Sequence, residues 1–267
     1  MLETLRKRAL VFIVGIPALI AVTIYGGVWF MLFTLLITVL GGLEALKFAH
    51  FSTSKSTSII VVLSIILIVT SFQYCSADYL LILATITLII LFFEIFKNQP
   101  NPFENVSVSL FSIVWMGVLL GSLVLVRNIP TIGKYLTIVM FVSVWSCDTL
   151  AYIFGSAFGK KKILERVSPK KSWVGSIAGL LGSLIVVFIF KHFGLLEISY
   201  KDVIILGIIF GGFSQLGDFA ESLFKRSADI KDSSNLLPGH GGVLDRFDSM
   251  AIAAPLTYLY WTIVHFM

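Results

Sequence analysis

Apolar residues in this chain fall into long, nearly uncharged runs. They lie near 9–25, 28–48, 58–74, 79–97, 106–126, 135–154, 173–193, 202–224 and 248–266. Each is long enough to cross a hydrocarbon core of about 30 Å as a helix. The pattern predicts an all-α polytopic transmembrane protein of about nine spans, since a helix satisfies its own backbone hydrogen bonds in lipid. The first run follows Arg6, Lys7 and Arg8 as a signal peptide would. No small-residue cleavage site precedes the turn at Gly26 and Gly27, so it is read as an uncleaved anchor.

Composition strengthens this picture. With 57% of 267 residues hydrophobic and only 13% charged, there is too little polar surface to cover a soluble globule. Cys75 is expected at the outer end of the third span and Cys147 toward the inner end of the sixth, which excludes a disulfide between them. Charge sets the orientation. With a cytosolic amino terminus, all of the 20 basic residues except Arg127, Lys134, Lys191 and Lys201 fall on the cytosolic side, and the carboxyl terminus lies outside. Topology thus accounts for most of the basic excess, and nucleic acid need not be invoked. Two longer polar loops, 155–172 and 225–247, both face the cytosol in this arrangement. Residues 1–130 read as a lipid-facing scaffold and 131–267 as the region that carries chemistry.

Acidic residues inside apolar spans need a partner or water. Glu44 with Lys47, and Glu94 with Lys97, are spaced three apart near helix ends and are expected to form interfacial ion pairs. In the eighth span Gln215, Asp218, Glu221, Ser222 and Lys225 recur at spacings of three and four, which makes one polar stripe. Two readings of that stripe stand: a buried network of Asp218 with Lys225 that joins helices, or a site open to a cytosolic vestibule. The stretch from Lys225 to Asp248 adds Arg226, Lys231, His240, Arg246 and a turn rich in glycine (Gly239, Gly241, Gly242) whose amides can form an anion-binding concavity. Asp245 and Asp248, three apart at a helix start, either cap that helix or share a cation. Asp148, in the sixth span, either faces the same cavity as Asp218 or is a buried acid bonded beside Thr149.

Two carboxylate pairs, several cations and a glycine turn on one membrane face together suit a polyphosphate carried with magnesium. The basic loop 155–172 suits anionic head groups or a triphosphate, although it also sets topology. Gly155 to Lys160 lacks the spacing of a P-loop, and Lys161 stands where Ser or Thr is required. No H-E-x-x-H, Cys/His cluster or G-x-S-x-G occurs, so zinc and serine-nucleophile mechanisms drop out.

The run S-L-F-K-R-S-A-D-I-K-D-S-S-N-L-L-P-G-H-G-G-V-L-D-R-F-D, Ser222 to Asp248, resembles the hallmark of the phosphatidate cytidylyltransferases, or CDP-diacylglycerol synthases. Q-L-G-D-F-A-E from Gln215, C-D-T-L-A-Y around Asp148 and S-P-K-K-S-W from Ser168 are similar to that family too. The likeness covers the carboxyl-terminal half; upstream only the hydropathy is alike. Val174 departs from it, since relatives often carry a polar residue there. The resemblance implies transfer of a cytidylyl group from CTP to phosphatidic acid with Mg2+, leaving room for a second, monovalent cation, in a homodimer of the inner membrane. The catalytic set expected on both grounds is Asp218, Asp245, Asp248, Lys225, Arg226 and His240, with Asp218, Asp245 and Asp248 on the metal. Asp148, Lys170, Lys171, Gln215, Glu221, Ser222, Lys231, Asp232, Gly239, Gly241, Gly242 and Arg246 are expected to bind substrate. A cation-coupled transporter, or another enzyme acting on a polyprenyl or lipid phosphate, are the alternatives from the residues alone.

Overall fold

A computed structural model describes residues 2–49, 54–74, 78–97, 101–234, 236 and 241–265, with side chains from Ile13 onward. The helices are α1 (Leu2–Tyr25), α2 (Gly27–Phe48), α3 (Lys55–Tyr74), α4 (Tyr79–Ile95), α5 (Pro102–Arg127), α6 (Gly133–Phe158), α7 (Trp173–His192), α8 (Tyr200–Ser227) and α9 (Leu244–His265). Each predicted span falls on one of them. No strand occurs among the described residues, and Lys162 and Ser172 form an isolated antiparallel bridge. Among the described residues six helices, α2, α3, α5, α6, α7 and α8, are long and apolar enough to cross a membrane. Ile13–Tyr25 of α1 and Tyr79–Ile95 of α4 are further apolar stretches among those residues.

Local chemistry sets the helix starts. Asp78 accepts from the amides of Leu80 and Leu81, Ser172 from that of Gly175, and Ser199 forms a capping box with Asp202. Within the spans, Thr34, Thr38, Ser109 and Ser112 donate to carbonyls four residues back at 2.7–2.9 Å, so their hydroxyls are satisfied without water. The expected pair of Glu94 with Lys97 forms at 3.7 Å, and Asn105 also donates to Glu94 at 2.8 Å.

Two compact units divide the chain. The first comprises Met1–Leu125 and Ser227–Phe247, the second Val126–Arg226 and Asp248–Met267. In the first, Phe30, Ile65, Ile113, Met116, Leu120 and Leu123 are fully buried where α2, α3 and α5 meet. Residues Ile113–Leu119 of α5 are wound as π-helix.

In the second unit, small residues let backbones approach. A Cβ on Gly175 would lie 2.5 Å from the carbonyl oxygen of Ala151, one on Gly179 2.8 Å from that of Cys147, and one on Gly211 2.7 Å from the Cα of Leu180. These glycines draw α7 against α6 and α8. Ser183 Oγ donates to the Ser143 carbonyl at 2.9 Å, and the buried thiol of Cys147 to that of Gly211 at 3.5 Å. Cys75 lies outside the described residues.

Gly179→Val is therefore expected to cost at least about 2 kcal/mol by overpacking, because its obstacle is backbone. Gly212→Ala, whose new atom would meet only side-chain contacts at 3.7 and 3.9 Å, is expected to be nearly neutral. Thermal melting of the two variants in detergent checks the contrast.

A candidate acidic and basic active site

Helix α8 begins apolar, passes through the π-helical residues Ile209–Phe213, and then turns polar. Extra residues per turn at such a place re-aim the side chains that follow. Gln215 is tied down first: its Oε1 accepts from Ser176 Oγ at 2.6 Å, and its Nε2 donates to the carbonyls of Ser176 and Gly211. Two residues later Gly217 lies against α9. A Cβ there would be 2.2 Å from the carbonyl oxygen of Asp248, so only glycine lets that backbone come so close.

The result is a group of three carboxylates. Asp218, Glu221 and Asp248 each offer an oxygen, and these oxygens lie within 4.8 Å of one another. Glu221 and Asp248 are buried, whereas the Asp218 side chain is 36% exposed. At such separations each like-charge pair costs on the order of 3 kcal/mol at an effective dielectric near 20. Cations offset part of this. Lys171 Nζ lies 2.5 Å from Asp218 Oδ2 and 4.2 Å from the Phe219 ring centroid, and Lys225 Nζ lies 3.2 Å from Glu221 Oε2. Ser222 Oγ donates to Asp218 Oδ1 at 3.4 Å, and the Ser249 amide to Asp248 Oδ1 at 2.7 Å. The donor set, all oxygen and acidic, fits a hard divalent cation.

This arrangement corrects the expected network. Asp218 pairs with Lys171 from the basic loop, not with Lys225 of its own helix, because Lys225 is one turn from Glu221 and takes that acid instead.

In the first unit the stretch from Ser227 to Phe247 is organised by two acids. Glu44, 4% exposed near the end of α2, accepts from Ser234 Oγ at 2.5 Å and the Val243 amide at 3.1 Å through Oε1. Its Oε2 accepts from the Leu244 amide at 2.8 Å and Ser233 Oγ at 3.1 Å. Asp245 Oδ2 accepts from the Gly242 amide at 2.7 Å, the Ser233 amide at 3.1 Å and Ser233 Oγ at 3.0 Å. The Ser233 hydroxyl has one hydrogen for two carboxylates, so backbone amides complete the shell of each. Gly241 has φ +82, and a Cβ on it would meet Asp245 Oδ2 at 2.5 Å; on Gly242 it would meet Ser233 Oγ at 2.0 Å. Both positions require glycine.

Three expectations change here. Glu44 forms no pair with Lys47 among the described residues; Lys47 is exposed and the acid is covered by loop donors. Asp245 is not in the group of three carboxylates, since it turns back to brace the glycine turn while Asp248 turns to α8. The Gly242 amide serves Asp245, and is not presented to an outside anion.

The other expected residues are more dispersed. Lys170, Arg226, Lys231, Asp232 and Arg246 are exposed. Asp148 is exposed and outside the carboxylate group, and Thr149 bonds the Trp145 carbonyl, so the reading of a buried acid is set aside. The basic loop starts later than expected, because α6 continues to Phe158. His240 and Gly239 lie outside the described residues. Glu44 was not expected to hold the segment from Ser233 to Leu244: its spacing from Lys47 pointed to an ion pair, and the glycines beside it, Gly41 and Gly42, make room for Met116 and Ile65 instead.

The Cytidylyltransferase family model matches residues 6–264. A phosphatidate cytidylyltransferase of Staphylococcus saprophyticus is 33% identical over 255 residues, 94% of this chain and 97% of that protein. The Bacillus subtilis enzyme of the same name is 30% identical over 85% of this chain and 87% of its own length. That of Haemophilus influenzae is 45% identical over 140 residues, which cover 51% of this chain and 49% of that protein. Near full-length likeness at this level, with apolar helices and an acidic and basic site, shows that the chain belongs to the cytidylyltransferase family.

Proposed function

We propose that this protein transfers the cytidylyl group of CTP to phosphatidic acid, giving CDP-diacylglycerol and pyrophosphate for phospholipid biosynthesis. The observation that carries this reading is the group of Asp218, Glu221 and Asp248 flanked by Lys171 and Lys225, in a chain whose relatives are named phosphatidate cytidylyltransferases. The nine helices span a cytoplasmic membrane with the amino terminus and site on the cytosolic side, as the distribution of basic residues requires. The enzyme works as a homodimer, as the family resemblance implies.

A phosphate oxygen of phosphatidate attacks the α-phosphorus of CTP. A new P–O bond forms, the bond to the β-phosphate breaks, and pyrophosphate leaves in line. The attacking oxygen is already ionised near neutral pH, so no general base is required. Positioning and neutralisation of charge supply most of the rate.

The carboxylates of Asp218, Glu221 and Asp248 would hold Mg2+, which supplies charge neutralisation for phosphate oxygens. Asp245, assigned to the metal by the sequence motif, would have to exchange a loop donor to serve it. Lys171 and Lys225 are held by acids and ready to exchange a carboxylate for a phosphate; Lys170 and Lys231 from the loops, and Arg226 and Arg246 from helix ends, hold phosphates. Asp148, Gln215, Ser222 and Asp232 keep substrate-side roles, Gln215 by fixing the turn before Asp218. Gly239, His240 and Gly241 are assigned to the triphosphate by the family resemblance alone. The acyl chains stay in the bilayer, which avoids exposing them at about 0.8 kcal/mol per CH2.

Purified protein given labelled CTP and phosphatidate with Mg2+ is expected to release pyrophosphate and produce lipid-soluble label, reversibly abolished by EDTA. Absence of product defeats the proposal, and product in excess EDTA defeats the role of the metal. Asp218→Asn is expected to lower kcat at least about a hundredfold, the scale for losing one preorganised charge contact, while leaving the melting temperature nearly unchanged because the side chain is partly exposed. Wild-type turnover would remove Asp218 from the site. Ser234→Cys in sealed vesicles is expected to react with an impermeant maleimide only from the cytosolic side; labelling from outside would invert the topology.

A further inference from the structure

We infer that Glu44 is a positioning residue for substrate binding: from α2 it holds Ser233 and Ser234 on one side, and Val243 and Leu244 on the other, of the segment proposed above to meet the nucleotide. The inference rests on the reading of that loop as the CTP-binding segment.

Four donors reach this one buried carboxylate, two from each flank of the turn. Ser233 and Ser234 approach from the amino-terminal flank, and the amides of Val243 and Leu244 from the carboxyl-terminal flank. The loop is pressed onto the acid, since a Cβ on Gly242 would lie 2.4 Å from Glu44 Oε2. A carboxylate that was simply neutralised in an apolar helix would need one cation. Glu44 instead takes hydroxyls and amides, as an anion bound in a concavity of the backbone does. Joining the two flanks spends the loop-closure entropy before substrate arrives. Lys231 lies two residues before the first clamped residue, and Arg246 two after the last. Both phosphate-binding cations therefore sit on anchored backbone.

Two readouts separate this from a merely structural role. In Glu44→Ala, amide hydrogen exchange at Val243 and Leu244 is expected to accelerate at least about tenfold, the equivalent of one lost charge-assisted hydrogen bond. In Glu44→Gln, which keeps the shape but turns one acceptor into a donor, the KM for CTP is expected to rise about tenfold, with kcat and the KM for phosphatidate changed less than about threefold. Glu44→Asp should restore part of the CTP affinity. Unchanged exchange in Glu44→Ala overturns the clamp whatever the enzyme does. Faster exchange with an unchanged KM for CTP overturns its role in binding. A wild-type protein inactive on CTP would strike the proposed reaction and leave the exchange arm standing. Should the Glu44 variants fail to fold, Ser234→Ala, which removes one hydroxyl donor, is read in the same two ways and decides the matter.

Discussion

A carboxylate among apolar helices has lost its water and must recover equivalent partners from the protein, and that requirement shapes both units of this molecule. Glu44 recovers them from hydroxyls and backbone amides of the glycine turn. Asp218 and Glu221 recover them from lysines, one 47 residues upstream and one a single turn away. Glu94 uses both an asparagine and a lysine. Where the acid is buried, as at Glu44, Glu94 and Glu221, removing a partner leaves a buried charge uncompensated, which costs far more than the pair contributes. The polar groups therefore specify the packing more strictly than the surrounding aliphatic surface does.

Glycine makes those meetings possible. The acidic group exists because Gly217 lets the backbone at Asp248 come within the reach of α8, while Gly175 and Gly179 seat α7 on α6 and Gly207 and Gly211 seat α8 on α7, close enough for Gln215 to bind Ser176. In lipid, where apolar side chains gain nothing from being hidden from water, close backbone contact supplies dispersion energy that larger side chains would forfeit. The same residue type does a different job in the loop. Gly241 and Gly242 leave space for Asp245 and Glu44 to reach amides.

Function follows from the acidic group. Three carboxylates and two lysines meet where an apolar helix turns polar. Phosphate chemistry on a lipid needs such a place, since one substrate stays in the bilayer and the other comes from water. In the proposed reaction the lysines of these ion pairs would exchange a carboxylate for an incoming phosphate and meet it already oriented.

Periodicity along a single helix was legible at once: the apolar runs, the stripe from Gln215 to Lys225 and the concentration of basic residues follow from a rise and a turn that do not depend on neighbours. The likeness of Ser222 to Asp248 to a known family was equally local, and full-length relatives bear it out. Which helix edges face one another was not legible. Glu44 and Lys47 looked like a pair at spacing three, yet the acid is claimed by a segment nearly two hundred residues later. Asp245 and Asp248, three apart, looked interchangeable, yet one braces a loop and the other joins Asp218 and Glu221. The sequence determined what each residue offers, a charge, a donor or an absent side chain. Only the tertiary structure decided which offers meet, because a buried charge takes the best partners that packing brings to it, and packing is settled by the whole chain.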